Sequence, residues 1–567
     1  MATQSPLRTD EQHGRTGADL VVACLAAEGI RVVAGVPGTT VMDVIDSLRR
    51  QERVRFVVTR HEQVAGFLAD GMSRGGAAPG VALVSRGPGA ANLSIAVQNA
   101  YDESIPMLVL VGQVPGGISE RRAFEEMDVV GTFRPMTKWV VEVHDVARIP
   151  ELLQRAVRTS VSGRPGPVVV SLPLDVLQAA PPEGLGPAPR RRSHPPAPAP
   201  AAIEEAVAIL AGAERPVVVL GGGARGDASV YLQLADRLGA PLVTTWMRQS
   251  VVSHDAPAYL GALGYGAHEV TERTVREADA LLALGCRFSE FTTKRWTLVP
   301  EETRLVHVDV DPTELGRVYV PDVGITSDAG LATAALLDRL PAAGSGPRDA
   351  RRRALRDEYL QVSSLDSEDL TTADEPGTGV SGISAIRVLQ SLADRPGIRL
   401  LQDAPSFAPW THRYLRLSRP NTLHASAGGA MAWGLPAAMG IALARPEERL
   451  VTVSGDGSFW MVAQDFETCV REGIQLVNLV MNNFSYGNTR DRQRMAHGGR
   501  YLGVFYNNPD FAGFARSLGG FGVRVERDED LASAVEEALA QERPAIIDVI
   551  QDQMYGLPPG LTPLAAR

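Results

Sequence analysis

RLVTVSGDGSFW at residues 449–460 and QLVNLVMNNFSYG at residues 475–487 are the two segments that decide the fold of this chain. In each segment an apolar run of strand length ends in glycine or polar residues, Gly455-Asp456-Gly457 in the first and Asn482-Asn483 in the second. A stretch of helical length separates the two runs. Buried apolar strands that alternate with helices are typical of parallel sheets covered on both faces. The sequence therefore predicts a strand–helix–strand unit in this region.

Polar side chains follow both predicted strands, and they indicate a binding site. Asp456 follows the first strand and Asn483 follows the second. Ligands of parallel sheets bind beyond the carboxyl ends of the strands, so we expect the two side chains to share one crevice. Carboxylate and amide oxygens suit a hard divalent cation, and glycines let the backbone approach a phosphate closely. The pattern predicts a metal-bridged diphosphate; the alternative is a tight turn beside a polar strand end.

A second informative region lies far upstream, where VRFVV at residues 54–58 precedes RHEQVAGFLADGMSR at residues 60–74. Glu62 lies at this predicted junction between a strand and a helix, where the helix N-terminus favours a carboxylate. An ordinary first-turn helix carboxylate is the plain alternative. The segment from residue 81 to residue 115 then continues with a strand, a Gly/Pro loop, a helix and a strand.

The chain has 567 residues and 44% hydrophobic residues, which is more than one domain needs and enough for several large cores. Proline-rich or glycine-rich linkers at residues 179–201 and 341–350 divide it. We expect α/β domains at residues 15–180, 201–340 and 381–551, each with a mostly parallel sheet.

Composition also limits the partners and the compartment. The net charge is −10, and the basic runs lie in or near linkers, which argues against nucleic acid as a ligand. There is no run of about 20 apolar residues, so a membrane span is not expected. Three scattered cysteines and a polar N-terminus without the apolar core of a signal peptide predict a cytoplasmic protein.

The motifs together resemble those of thiamine diphosphate (ThDP) enzymes, and the similarity to acetolactate synthases covers nearly the whole chain. It is carried by the GDG and NN segments and by four further motifs: GVPGTTVMDV at 35–44, RHEQ at 60–63, GPGAAN at 87–92 and HASAGGAMAWGLPAAMG at 424–440. The resemblance implies three parallel-sheet domains: pyrimidine-binding, central Rossmann-like and diphosphate-binding. It also implies a homodimer or homotetramer in which the cofactor contacts come from different subunits.

The resemblance assigns roles to individual residues. Glu62 would hydrogen-bond the aminopyrimidine ring of ThDP and promote removal of the proton from the reactive thiazolium carbon. Mg²⁺ would be held by Asp456, by the Asn483 side chain and by the backbone carbonyl of Ser485. The residues expected to bind the cofactor are Gly429, Met431, Gly455, Asp456, Gly457, Ser458, Asn483, Tyr486 and Gly487.

Substrate contacts are implied less specifically. The residues expected to contact substrate are Thr39, Ser85, Arg86, Gln113, Phe291, Asn488 and Arg492. Phe291 stands where acetolactate synthases carry an arginine for the carboxylate of the second 2-oxo acid. Arg492 stands where they carry a tryptophan that selects the acceptor. Loss of a charged hydrogen bond costs about 1.5–3 kcal/mol. Arg492, Lys294 or Arg295 would therefore have to replace that charge, or the acceptor is not a small 2-oxo acid.

The resemblance leaves three functions open. The first is a carboligase that decarboxylates a pyruvate-like 2-oxo acid and transfers the fragment to an acceptor, which could be an aldehyde or a ketone. The second is a non-oxidative 2-oxo acid decarboxylase, similar to benzoylformate decarboxylase, that releases an aldehyde. The third is a catalytically silent dimeric scaffold. FAD in the central domain is also allowed, because GGGA at 221–224 and GCRF at 285–288 each follow an apolar run.

Overall fold

Parallel β-sheets form the framework of this protein. The computed structural model describes residues 14–76, 79–190, 193–341, 346–366, 377–403, 406–554, 556–559 and 561. The strands of this part of the chain make three six-stranded sheets in which every pair is parallel. Within the same residues, no helix is both long and apolar enough to cross a membrane.

The strands are short and mostly apolar, as expected for strands that are covered on both faces. In chain order they are β1 Val32–Gly35, β2 Arg55–Val58, β3 Gly80–Ser85, β4 Met107–Gln113, β5 Trp139–Glu142, β6 Pro167–Pro173, β7 Pro216–Leu220, β8 Leu242–Thr244, β9 Tyr259–Ala262, β10 Ala280–Leu284, β11 Arg304–Asp309, β12 Val323–Thr326, β13 Ile398–Gln402, β14 Leu423–Ala425, β15 Arg449–Gly455, β16 Leu476–Asn482, β17 Phe521–Val525 and β18 Ala545–Ile550. Every residue of β4, β6 and β16 is buried.

Helices connect most of these strands and cover the sheets. In chain order they are α1 Gly17–Ala27, α2 Met42–Arg49, α3 Glu62–Arg74, α4 Arg86–Glu103, α5 Val129–Phe133, α6 Ile149–Val161, α7 Leu174–Gln178, α8 Pro200–Gly212, α9 Ala228–Leu238, α10 Glu269–Arg276, α11 Ala329–Arg339, α12 Pro347–Val362, α13 Gly382–Ala393, α14 Ala408–Tyr414, α15 Gly434–Ala444, α16 Asp456–Trp460, α17 Phe466–Glu472, α18 Gly487–His497, α19 Phe511–Ser517 and α20 Asp528–Leu539.

The first and third sheets share one topology. Their strand orders are β2-β1-β3-β4-β6-β5 and β14-β13-β15-β16-β18-β17, which is the same order within each block. The second sheet has the order β12-β11-β10-β7-β8-β9, the doubly wound Rossmann arrangement. In the third sheet the strand order reverses between β13 and β15, and ligands of open α/β sheets bind at such a point.

The α/β class with three parallel sheets is therefore confirmed, whereas the domain boundaries remain a prediction. Contacts divide the chain into two compact units, Met1–Ser193 with Met439–Arg445, and His194–Ala438 with Pro446–Arg567. The predicted loops after β3 and β15 are shorter than expected, because α4 begins at Arg86 and α16 begins at Asp456. A proline in the first turn of a helix costs little, so the GPG segment can lie inside α4.

Within the second unit, histidines join the central sheet to the α14–β14 region of the third. His254 donates its backbone N–H to Leu417 at 2.8 Å, and its ring stacks on Tyr259 at 4.2 Å. His268 Nε2 lies 3.1 Å from the carbonyl of Arg413. Burial lowers the pKa of His254 to about 4 and that of His268 to about 3, so both rings are neutral at pH 7.

The lowered pKa of His254 gives a testable dependence of stability on pH. The unfolded histidine binds a proton near pH 6.5 and the folded one only near pH 4, so unfolding takes up a proton in this window. The stabilisation is complete above pH 6.5 and is lost as the pH falls. Relative to His254→Gln, the free energy of unfolding of the wild type should fall by about 2 kcal/mol between pH 6.5 and pH 5. Urea unfolding of both proteins at each pH measures this difference, and a gap that does not change with pH would contradict it.

Candidate functional site

A cavity of about 220 Å³ opens at the carboxyl edge of the third sheet. Its walls come from segments that follow β13, β14, β15, β16 and β18, so it lies where the strand order predicts a ligand. The lining residues are Ser406, Phe407, Gly429, Met431, Gly455, Asp456, Gly457, Ser458, Met481, Asn483, Ser485, Tyr486, Gly487, Asn488, Thr489, Tyr506, Gln551 and Gly556. The structure thus brings together every cofactor-binding and metal-binding residue predicted for this domain.

Asp456 is the first residue of α16, and its side chain lies at the centre of the site. The residue is 2% exposed, and burial raises the pKa of its carboxyl to about 6. Its Oδ1 accepts hydrogen bonds from the N–H of Gly457 at 2.8 Å and from the Tyr506 hydroxyl at 3.0 Å. Asn508 Nδ2 donates to its Oδ2 at 2.8 Å. These donors fix both carboxylate oxygens in the cavity wall.

Tyr506 and Asn508 are functional candidates that the sequence analysis missed. Their segment pairs with the NN segment, because Tyr506 donates its N–H to Phe484 at 3.2 Å. Asn508 Nδ2 also donates to Asn482 Oδ1 at 2.8 Å, and Asn482 in turn donates to buried Asp548 at 2.8 Å. A hydrogen-bonded chain therefore connects β18 to Asp456. Such outer partners orient the ligands of a metal and tune its binding.

The loop of residues 483–487, which we call the metal loop after the ligands predicted in it, turns sharply after β16. Asn483 Oδ1 accepts hydrogen bonds from the N–H of Ser485 at 3.2 Å and from its hydroxyl at 3.1 Å. Phe484 has a positive φ of 55°. Tyr486 has φ −73° and ψ 75°, the geometry of an inverse γ-turn, and Gly487 donates its N–H to the Ser485 carbonyl at 2.9 Å. The loop thus brings two different oxygen donors to the same cavity as Asp456.

These residues fit a hard divalent cation. The donor set is one carboxylate, one amide oxygen and one carbonyl, which are the oxygen ligands that Mg²⁺ prefers. No lysine or arginine of the described chain forms an ion pair with Asp456, so its buried negative charge has no protein counterion. The described part of the chain also contains no cluster of three or more His, Cys, Asp or Glu side chains that could hold a metal ion. A cation here would be held by the Asp456 carboxylate, by neutral oxygens and by the anionic groups of a ligand.

The glycines of the site are required by close packing. A Cβ on Gly457 would lie 2.6 Å from the Tyr486 ring and from the Tyr506 hydroxyl. A Cβ on Gly487 would lie 2.4 Å from Ser406 Oγ. Neither position therefore has room for a side chain beyond glycine.

The remaining predicted contacts form the far wall. Ser458 accepts the N–H of Ala432 at 2.6 Å and hydrogen-bonds the carboxylate of Asp403, which ties α16 to the segment that carries Met431. Met431 is half-buried and lines the cavity, and Gly429 has φ 76°, a left-handed conformation that glycine tolerates. The structure therefore places an apolar side chain beside the polar metal loop.

Glu62 lies in the first unit and is the first residue of α3, a short turn after the carboxyl end of β2. His61 caps this helix by accepting the N–H of Gln63 at 3.1 Å. Asn92 Nδ2 of α4 donates to Glu62 Oε2 at 2.9 Å, and a Cβ on Gly89 would lie 3.5 Å from Glu62 Oε1. The half-buried carboxylate is thus oriented by one amide and by the N-terminal dipole of α3.

The predicted substrate residues of the first unit lie along the same carboxyl edge. Thr40 and Ser85 hydroxyls are 2.8 Å apart, whereas neighbouring Thr39 is exposed. Arg86 has φ 48° and donates to the Phe124 carbonyl at 3.0 Å. Gln113 Nε2 donates to the carbonyl of Met127 at 2.7 Å. The structure therefore brings the β1, β3 and β4 ends together with Glu62 on one edge.

The predicted substrate residues of the second unit divide into two groups. Asn488 lines the cavity, and Arg492 lies one turn later on α18. The Nε of Arg492 is buried without a hydrogen-bond partner in the described residues. Phe291 is not among the lining residues of the cavity; it stacks on Trp246 with ring centroids 5.5 Å apart.

Tyr265 connects these groups. Its ring is tilted against that of Trp246, with the ring centroids 6.4 Å apart. Burial raises the pKa of its hydroxyl, on which the charges of Asp491 and Arg492 also act. Lys294, considered as a replacement cation, pairs with Glu272 at 2.5 Å.

Comparison with known protein families matches three parts of this chain. Residues 15–132 match the model "Thiamine pyrophosphate enzyme, N-terminal TPP binding domain". Residues 203–336 match the central domain of these enzymes, and residues 403–549 match their C-terminal TPP binding domain. Thiamine pyrophosphate is another name for ThDP.

Similar full-length proteins include two large subunits from Escherichia coli (strain K12). The acetolactate synthase isozyme 1 large subunit is 31% identical over 554 residues, covering 96% of each chain. The isozyme 3 large subunit is 32% identical over 543 residues, covering 93% of each chain. A probable acetolactate synthase large subunit from Methanocaldococcus jannaschii is 30% identical over 558 residues, covering 96% of this chain and 93% of its own.

Proposed function

Because this chain belongs to the thiamine pyrophosphate enzyme family, we propose that it is a ThDP- and Mg²⁺-dependent carboligase. It would decarboxylate a pyruvate-like 2-oxo acid and transfer the fragment to an acceptor carbonyl, in the manner of an acetolactate synthase. The observation that carries this proposal is the meeting of Asp456, Asn483 and Ser485 in one cavity. Relatives named acetolactate synthase, about 30% identical over nearly the whole chain, support the reaction class.

The residues would divide the work between two sites. When bound, ThDP supplies the electron sink that the loss of CO₂ from a 2-oxo acid requires. Asp456, Asn483 and the Ser485 carbonyl would hold Mg²⁺ against the diphosphate, and the backbone at Gly457 would approach it closely. Glu62, oriented by Asn92, would hydrogen-bond the aminopyrimidine ring and exchange a proton there.

Half-buried Met431 would contribute in a different way, by contacting the cofactor from the apolar side of the cavity. Exclusion of water from this side would also strengthen the electrostatic interactions around the metal.

A simple decarboxylase is the second candidate, because Phe291 stands where an enzyme with a 2-oxo acid acceptor would be expected to carry an arginine. Product analysis by mass spectrometry, with a panel of 2-oxo acids and with or without acceptor aldehydes, distinguishes the two. A hydroxyketone or a 2-hydroxy-3-oxo acid supports the carboligase. Free aldehyde under all conditions supports the decarboxylase and overturns the carboligase.

Phe291→Arg tests whether this position selects the acceptor. Arginine can keep the stack on Trp246 and can add a charged hydrogen bond to a carboxylate. At about 1.5–3 kcal/mol for that bond, we expect acetolactate output from pyruvate to rise by about 10–100-fold. Phe291→Leu is the matched control and should give no gain. A folded Phe291→Arg variant with unchanged output would contradict this role.

We also propose a homodimer or homotetramer whose subunits share the cofactor contacts. Large apolar side chains are exposed on both units, among them Met42 and Phe124 on the first and Trp460 and Leu502 on the second. Burial in a subunit interface would remove these side chains from water. Light scattering coupled to size-exclusion chromatography measures the state, and a monomer at micromolar concentration would contradict the proposal.

FAD, which the sequence allows in the central domain, would be an additional cofactor beside ThDP. A Cβ on Gly221 would lie 2.1 Å from the Gly285 carbonyl, so these glycines already pack against each other. Asp227 caps α9 by accepting the N–H of Ser229 at 2.9 Å, which puts a carboxylate where dinucleotide-binding units hold a diphosphate. These residues do not fit a diphosphate at the N-terminus of α9. The absorption spectrum of the purified protein tests for flavin bound in another way.

A further inference from the structure

Arg490 is a fully buried arginine whose contacts converge on the metal loop. Arg490 is 0% exposed, although the helix that contains it, α18, carries mostly polar residues. Nη1 donates to Ser485 Oγ at 3.1 Å and also hydrogen-bonds the carbonyl of Gln553. Nε and Nη2 donate to Asp491 Oδ1 at 3.1 and 3.0 Å. One guanidinium therefore contacts the metal loop, its own helix and the segment after β18.

The direction of these hydrogen bonds can be derived from their chemistry. A guanidinium has only donors, so Ser485 Oγ must accept from Arg490. The single hydroxyl hydrogen of Ser485 is then directed elsewhere, and Asn483 Oδ1 lies 3.1 Å away as an acceptor. The Asn483 oxygen, rather than its NH₂ group, is thereby held toward the Ser485 backbone, whose N–H also donates to it.

From this relay we propose that Arg490 is a positioning residue that prepares two of the three protein groups for metal binding, acting through Ser485. The inference rests on the proposed Mg²⁺ site. Arg490 fixes the Asn483 amide orientation through the Ser485 hydroxyl, and it restrains the residue whose carbonyl is the third ligand. Ligands held in place before binding lose less conformational freedom when the metal arrives.

The same guanidinium anchors the opposite wall of the cavity. Gln551 and Gly556 both line the cavity, and Gln551 donates its N–H to Asn482 at 2.9 Å. A Cβ on Gly556 would lie 2.6 Å from Arg490 Nη2, so only a glycine backbone fits against the buried ion pair. Trp410 Nε1 donates to the Gly556 carbonyl at 3.0 Å. The metal loop and this wall thus share one anchor.

Charge balance alone does not account for Arg490. Burying an ion pair costs several kcal/mol of desolvation, and apolar residues of similar volume often replace one without loss of stability. Half-exposed Arg494 of the same helix also contacts Asp491, at 3.5 Å, and can supply a counter-charge from the surface. What Arg490 adds is the pair of donors to Ser485 and Gln553.

Ser485→Ala is the decisive variant, because it removes the relay and keeps the backbone carbonyl and the buried ion pair. Mn²⁺ binding in the presence of ThDP, followed by electron paramagnetic resonance, counts bound metal without any turnover. Loss of one hydrogen bond of about 1 kcal/mol predicts about fivefold weaker Mn²⁺ binding. The spectrum of the bound ion should broaden, while the melting temperature of the metal-free protein should fall by no more than a few degrees.

Arg490→Lys, alone and combined with Ser485→Ala, tests the coupling. The lysine keeps the charge and loses the fork of donors, so the single variant should also bind Mn²⁺ about fivefold more weakly. In the Ser485→Ala background it should weaken binding by less than it does alone, since both changes break one relay and only the contact with the opposite wall remains to be lost. Arg494→Ala, which touches the same Asp491, is the matched control and should bind as the wild type does.

The possible failures are distinguishable. Unchanged Mn²⁺ affinity in Ser485→Ala, or effects that simply add in the double variant, would overturn the role of Arg490 and leave the metal site intact. A wild-type protein that binds no Mn²⁺ with ThDP present would overturn the proposed metal site itself, and this inference with it.

Discussion

Glu62→Gln should lower kcat by about 10²–10⁴-fold, the range that general acid–base groups contribute. Glutamine can accept the hydrogen bond from Asn92 that orients the wild-type side chain, but it cannot exchange a proton. ThDP affinity should therefore change little. Steady-state kinetics combined with a ThDP titration separates the two effects.

Glu151→Gln is the matched control for this variant. Glu151 is an exposed first-turn carboxylate of α6 and pairs with Arg148 at 3.0 Å. It therefore represents a helix carboxylate without a catalytic role. Its replacement should leave turnover unchanged. Wild-type turnover in Glu62→Gln would show that Glu62 is such an ordinary carboxylate as well.

Asp456→Ala should weaken Mg²⁺ and ThDP binding by at least about 100-fold. Replacement of the outer partners of a metal ligand already costs about 10–100-fold, and Asp456 is the only carboxylate among the proposed ligands. The variant should also lose the rise in melting temperature that ThDP and Mg²⁺ give the wild type, because that rise follows from binding to the folded state. Differential scanning calorimetry with and without both ligands measures it.

Asp456→Asn separates charge from shape. Asparagine keeps the size of the side chain, and one oxygen can still accept from Tyr506 or Asn508. It removes the negative charge that would face the cation, so binding should still fall well below that of the wild type. Normal retention of ThDP and Mg²⁺ by either variant would remove Asp456 from the metal site.

Local sequence patterns were sufficient for much of this site. The GDG and NN segments end neighbouring strands, with Gly455 paired to Met481 in the parallel register of β15 and β16. Because strand ends in a parallel sheet meet at one edge, Asp456 and Asn483 could be placed together from the sequence. Glu62 was predictable for the same reason, since it follows a strand and starts a helix.

Long-range contacts explain what the sequence did not reveal. Tyr506 and Asn508 reach Asp456 because their segment pairs with the metal loop through the isolated bridge between Ser485 and Phe505, which has no periodic signal. Arg490 lies in a helix whose polar composition predicts exposure, yet Gln553 and Gly556 cover it. Burial that depends on residues about 60 positions away leaves no trace in a local pattern.

The pairing of Phe291 with Trp246 could not be predicted either. The two residues follow different strands of the central sheet, and only the folded arrangement stacks their rings. The stack gives this position an apolar partner that an introduced arginine can use.

A crystal structure with ThDP and Mn²⁺, using the anomalous signal of Mn²⁺ to locate the ion, tests the central claim most directly. The account predicts one strong peak in the cavity of the third sheet, about 2.2 Å from an Asp456 oxygen, with Asn483 Oδ1, the Ser485 carbonyl and the diphosphate as further ligands. A diphosphate bound elsewhere, or a peak that Asp456 does not contact, would contradict it.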